Sequence, residues 1–109
     1  MNSKRKGNCG ERELLRILKA HGIDAHRNDQ TYKGGVDNPD ISAIIADIPV
    51  HIEVKRTERF NLYEAMEQAV HDANGHAIPI VAHRRNNKPW CICIQLHDFL
   101  KNTQGGTEL

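Results

Sequence analysis

Three charged residues, Asp40, Glu53 and Lys55, stand at a spacing that could do chemistry. Val50, Ile52 and Val54 alternate as a half-buried strand should, which leaves His51, Glu53 and Lys55 together on the opposite face. Successive residues on that face lie roughly 7 Å apart at the strand rise. Taken alone, an acid and an ammonium so placed are ordinary on a strand face that meets water. Asp40 changes the reading. It opens the preceding strand, and the short connection "ADIP" makes the two strands a hairpin, so Asp40 and Glu53 are expected to be neighbours across the pair. Two carboxylates that close repel unless something positive lies between them. A hard divalent cation suits the position, because Mg²⁺ takes one or two carboxylates and keeps several waters. Such an ion lowers the pKa of a water and neutralises a phosphate, while Lys55 can orient the nucleophile or stabilise charge on the phosphorus oxygens. The chemistry that results is phosphodiester hydrolysis. Glu11, in the first helix, could contribute through a bridging water.

The elements that must position these residues can be read from periodicity. "ERELLRILKAHG" is an amphipathic helix with Leu14, Leu15, Ile17 and Leu18 on its apolar side, Glu11 and Glu13 in its first turn, and Gly22 as its stop. A short strand follows at 23–27, then a polar, glycine-containing loop at 28–39, long enough to suggest function. Strands are expected at about 40–46 and 50–56. A second helix at 61–74 carries Leu62, Met66, Ala69, Val70 and Ala73 and ends on Gly75. "AIPIVAH" (77–83) reads as a strand that Pro79 places at an edge or a bulge, and "PWCICIQL" (89–96) as another. "HDFL" adds at most a helical turn, and the tail 101–109 is expected to be disordered. The class is α/β, a central mixed sheet flanked by helices in the order αβββαββ.

Composition narrows the function classes. A chain of 109 residues with 39% apolar and 27% charged residues is one globular domain, 1–109. It has no apolar run of membrane-span length, and the basic start "MNSKRKGNCGER" has no apolar core behind it, so no signal peptide is expected. Three cysteines form no disulfide framework, so a reducing cytoplasm is expected. Cys91 and Cys93 have no second pair at zinc-ligand spacing, and burial in a strand suits them better. The seven histidines show no ligand-spaced pattern and receive no catalytic role. The net charge of +1 is modest, but a basic N-terminal arm (1–8) and the cluster "HRRNNK" concentrate positive charge. Lys4, Arg5, Lys6, Lys33, Arg84 and Arg85 are candidate phosphate contacts, and Gly34 and Gly35 could let the loop backbone approach DNA. Asp37 is the alternative to Asp40; the Pro39–Asp40 junction at a strand start favours Asp40.

"PD" at 39–40, twelve intervening residues, then "EVK" at 53–55 resemble the PD-(D/E)xK nuclease superfamily, and the element order resembles its restriction-endonuclease-like core. "KGNCGERELLRILKAHGIDAHR" (6–27) followed by the Gly-Gly loop is most similar to the archaeal-type Holliday junction resolvases and their phage relatives. The resemblance implies an active site of Glu11, Asp40, Glu53 and Lys55, with the backbone carbonyl of Val54 as a further metal ligand. It implies Mg²⁺, with Mn²⁺ as a substitute, cleavage that leaves 5′-phosphate ends, a four-way or branched DNA substrate and a two-fold homodimer. Gln68 falls where some of these families place a glutamine that reaches the site, and a plain surface amide is an equal alternative. Arg56 stands where many resolvases carry serine. The expected function is a Mg²⁺-dependent endodeoxyribonuclease acting on junctions. A repair or restriction-type nuclease and a non-catalytic DNA-binding module are the alternatives.

Overall fold

The computed structural model describes residues 3–28 and 40–104, with side chains from Cys9 onward. Among these residues the chain forms a five-stranded sheet and three helices: α1 (Ser3–Ala20), β1 (Asp24–Arg27), β2 (Asp40–Ile45), β3 (Ile48–Arg56), α2 (Leu62–Ala73), β4 (Ile78–Arg84), β5 (Cys91–Ile94) and α3 (Leu96–Thr103). The strands lie in sequence order. β3 and β4 are parallel and the other neighbours antiparallel, so the sheet is mixed as expected. A parallel pair needs a crossover connection, and α2 supplies it.

Alternation along β3 divides the molecule into two cores. Val50, Ile52 and Val54 face α1 and join Leu14, Ala25, Ile41, Ala43, Ile80 and Ala82. Ala65, Met66 and Ala69 of α2 cover Val81 on the opposite face. Glu53 pairs with Val81 in the β3–β4 register, so the polar face of β3 looks toward α2.

α1 begins eight residues before the expected start, so the stretch read as a basic arm is helical from Ser3 and the acids Glu11 and Glu13 lie mid-helix. Two glycines hide this, since glycine is a poor helix former. Gly10 is there for proximity: a Cβ at this position would stand 2.2 Å from the Arg56 Cβ. Where α1 crosses β3, only a hydrogen fits.

Other boundaries also shift. α2 is capped at its start by the Asn61 side chain, which accepts from the Glu64 N–H at 3.1 Å. It ends on Asn74 in the left-handed region at φ 49°, with Gly75 following rather than capping. β4 is an interior strand, contrary to the edge or bulge expected from Pro79. β5 pairs only with Ile80 to His83, which leaves Pro79 beyond its reach and spares the sheet a missing donor. α3 is a full helix reaching Thr103, so residues 101–103 of the expected tail are ordered in it. Cys91 is exposed and Cys93 half-buried against the α2-side core, so only the second approaches the burial expected. Lys33, Gly34, Gly35 and Asp37 lie outside the described residues.

Candidate active site

The site begins with a turn. β2 and β3 are joined by Ala46 and Asp47 alone, both at positive φ (52° and 66°), the conformation that matches the twist of a two-residue hairpin. Closing the hairpin at Ile45 and Ile48 fixes the whole register, and Asp40 falls directly opposite Glu53. A one-residue slip would send one of the two acids to the other face.

Both carboxylates are buried, Asp40 at 2% and Glu53 at 0% exposure. Neither Glu53 oxygen accepts a hydrogen bond among the described residues. The Lys55 ammonium lies 3.9 Å from its Oε1. Burial pushes the Glu53 carboxyl up to about 7; Lys55 pulls it down, while Asp40 and Asp72 raise it further. A buried carboxylate with no donor is costly. A cation between Glu53 and Asp40 would remove that cost, and the hard oxygen donors suit a divalent ion.

Two residues that sequence reasoning left out complete the cluster. His51 pairs with Ser42 in the register, faces α2 with Glu53, and is buried at 6% exposure. Asp72 enters from the last turn of α2. One ligand atom each from Asp40, His51, Glu53 and Asp72 can be chosen so that all four lie within 4.8 Å of one another. His51 carried a signal, its place on the Glu53 face of the strand. Asp72 carried none, because its approach depends on how α2 packs. Gln68 reaches the cluster indirectly: its Nε2 donates to both Asp72 oxygens at 3.0 Å. The cluster borders a cleft of about 1250 Å³ whose lining includes Asn28, Asp40, Ser42, His51, Gln68 and Asp72, far more room than an ion needs.

The remaining candidates are dispersed. Glu11 is buried at 2% exposure but pairs with Arg27 of β1 and stands outside the four-residue cluster. Val54 turns its side chain into the α1-side core. Arg56, also on the α1 side of β3, packs against Gly10 and keeps its Nη1 buried without a hydrogen-bond partner. Arg84 is engaged by Glu13 and the Lys88 carbonyl, and Glu13 also accepts from Trp90 Nε1 at 2.7 Å. Arg85 is exposed. Lys4, Arg5 and Lys6 belong to α1, and their side chains lie outside the described part.

Residues 2–107 match the family of archaeal Holliday junction resolvases (Hjc). Among solved structures, the chain is similar to the 1.6 Å structure of Archaeoglobus fulgidus Hjc, a Holliday junction resolvase from an archaeal hyperthermophile. The two share 27% sequence identity with a TM-score of 0.63, over 80% of this chain and 75% of that one. No match was found among curated proteins. The register that opposes Asp40 to Glu53, the mixed sheet and the match over nearly the whole length agree: the chain belongs to the archaeal Holliday junction resolvase family of nucleases.

Proposed function

We propose that this protein, as a nuclease of the Holliday junction resolvase family, hydrolyses phosphodiesters of four-way DNA junctions using a divalent metal ion, Mg²⁺ or Mn²⁺, held by Asp40 and Glu53. The observation that carries the metal is Glu53, fully buried, opposite another acid and without a hydrogen-bond donor on either oxygen. When bound, the ion neutralises phosphate charge and makes water a better nucleophile at neutral pH. Lys55, one-third exposed beside Glu53, would meet the phosphate and stabilise charge that builds on its oxygens. The Val54 carbonyl is a further candidate ligand. Glu11, buried and tied to Arg27, would act on the site through a bridging water.

Binding to the DNA backbone falls to basic groups of the chain. Arg85 is the exposed candidate in the described part, with Lys4, Arg5, Lys6, Lys33 and the backbone at Gly34 and Gly35 as the others. Arg84, held by Glu13, is the weaker candidate. Among the described residues no helix is long and apolar enough to cross a membrane. Three free thiols suit a reducing cytoplasm.

Resolving a junction takes two nicks on opposed strands, and one chain offers one Asp40–Glu53–Lys55 site. A two-fold dimer supplies two in fixed relation. The apolar surface we assign to it is exposed Ile92 on the edge strand β5 with Leu96, Phe99 and Leu100 of α3. Trp90 and Ile94, which flank this surface in sequence, pack against the core. The test is incubation of the protein with Mg²⁺ and labelled linear, nicked, forked and four-way DNAs. Paired, symmetric nicks in the four-way substrate are expected, with linear duplex a poor substrate. Equal cutting of all forms would remove junction selectivity and leave a general nuclease.

A further inference from the structure

Asp40, Glu53 and Lys55 account for the proposed hydrolysis, and two groups at the same place remain unused. His51 is nine-tenths buried, and its Nε2 points at acids: it lies 3.5 Å from Asp40 Oδ2 and 4.0 Å from Asp72 Oδ2. It nevertheless makes no hydrogen bond through that nitrogen among the described residues. A structural histidine at such burial normally completes its hydrogen bonds, so an open Nε2 aimed at two carboxylates is unusual. Asp72 is oriented toward the same spot by the paired bonds from Gln68.

The spacing is that of ligands around an ion. Donors about 2.1 Å from an octahedral cation stand roughly 3.0 to 4.2 Å apart. The four chosen ligand atoms lie within 4.8 Å of one another, slightly more open than a closed shell, as mutually repelling acids would be. Charge agrees as well. Among the described residues, three carboxylates beside the Lys55 ammonium leave an excess that a single divalent ion cancels.

We infer that His51 and Asp72 are metal ligands alongside Asp40 and Glu53, and that the centre is a mixed nitrogen–oxygen site selective for Mn²⁺-class transition ions over Mg²⁺. The inference deepens the proposed nuclease site and rests on it. Imidazole suits borderline metals, while Mg²⁺ prefers oxygen and gives up its waters reluctantly. An all-carboxylate pair would discriminate little between the two; a buried imidazole does. Gln68 acts as a positioning residue that holds Asp72.

The experiment uses the full chain and Mn²⁺ as the probe. Pulsed electron paramagnetic resonance of the bound ion should show coupling to a histidine nitrogen in the wild type and lose it in His51→Gln. Competition titration should find Mn²⁺ bound more tightly than Mg²⁺, and the ratio should shrink by roughly tenfold or more in His51→Gln, at least the loss seen when outer partners of metal ligands are removed. Asp72→Asn, at a partly exposed position that tolerates change, should weaken Mn²⁺ binding while keeping the nitrogen coupling. Mn²⁺ that binds in a Glu53-dependent way without nitrogen coupling, or with an unchanged ratio in His51→Gln, overturns the inference and leaves the nuclease site standing. Mn²⁺ binding unaffected by Glu53→Gln removes the site itself, and the inference with it.

Discussion

Asp40 and Glu53 face each other directly across β2 and β3, and the relationship is set at the far end of the hairpin by Ala46 and Asp47. Every pair from Ile45–Ile48 to Asp40–Glu53 follows from that two-residue turn. The geometry of the proposed site therefore depends on residues outside it, and each can be tested separately.

Ala46 and Asp47 are not the residues such a turn prefers, since a left-handed conformation costs an alanine about 1 to 2 kcal/mol and Asn-Gly is favoured there. The double substitution Ala46→Asn with Asp47→Gly should stabilise the protein by about 1 kcal/mol, seen as a rise of roughly 4 to 8 °C in Tm for a domain of this size. Cleavage should be unchanged because the register is kept. Calorimetry together with a junction-cleavage assay checks both halves.

Glu53 makes the stability of the metal-free protein depend on pH. Its carboxyl ionises at about 7 in the fold against 4.5 when unperturbed, chiefly because of burial. Below 4.5 it is protonated in both states and costs nothing. Between 4.5 and about 7 the unfolded chain ionises first, so stability falls as pH rises, by up to about 3 kcal/mol, and then levels off. Denaturant titrations of metal-free wild type and Glu53→Gln should agree near pH 4 and diverge by pH 8, with the variant more stable. Adding a divalent metal at pH 8 should stabilise the wild type alone. Glu53→Gln should also abolish cleavage while DNA binding, which rests on phosphate contacts elsewhere, largely persists.

Lys55→Ala should lower the single-turnover rate of bound DNA by about two to three orders of magnitude, the loss expected when one transition-state electrostatic contact is removed. Arg85→Ala should instead weaken binding modestly and flatten its salt dependence. Loss of affinity with an unchanged rate in Lys55→Ala would reassign that lysine to the binding surface.

Gly10 separates α1 from β3 by the width of a hydrogen atom. Gly10→Val has to push the helix off the Cβ and Cγ of the Arg56 side chain and should cost about 1 to 3 kcal/mol, in the range of other overpacked substitutions. Glu11 moves with α1, so the cleavage rate of the folded fraction is the measurement that reports its contribution.

Ile92→Glu with Phe99→Glu should keep the fold, because both residues are exposed and neither belongs to the buried core, and should halve the sedimenting mass of the proposed dimer. Single nicks should then replace paired ones. A wild-type protein that sediments as a monomer at micromolar concentration would end the dimer proposal.

Local pattern was enough for the strand that carries Glu53 and Lys55, for its hairpin partner opened by Asp40, and for the helix that returns the chain to the parallel strand. Alternation along a strand and helical spacing depend only on neighbours in sequence, and both survive in the fold. What failed locally failed for tertiary reasons. Gly10 looked like a helix breaker because propensity cannot see the Arg56 side chain pressed against it. Pro79 looked like a sheet edge because nothing in the sequence says where β5 stops. The histidines showed no ligand spacing, yet His51 meets Asp72 across the packing of α2 on β3, where two side chains from different elements converge on one polar cluster. The carboxylate pair was a property of the chain; the company it keeps was decided by which face α2 covers.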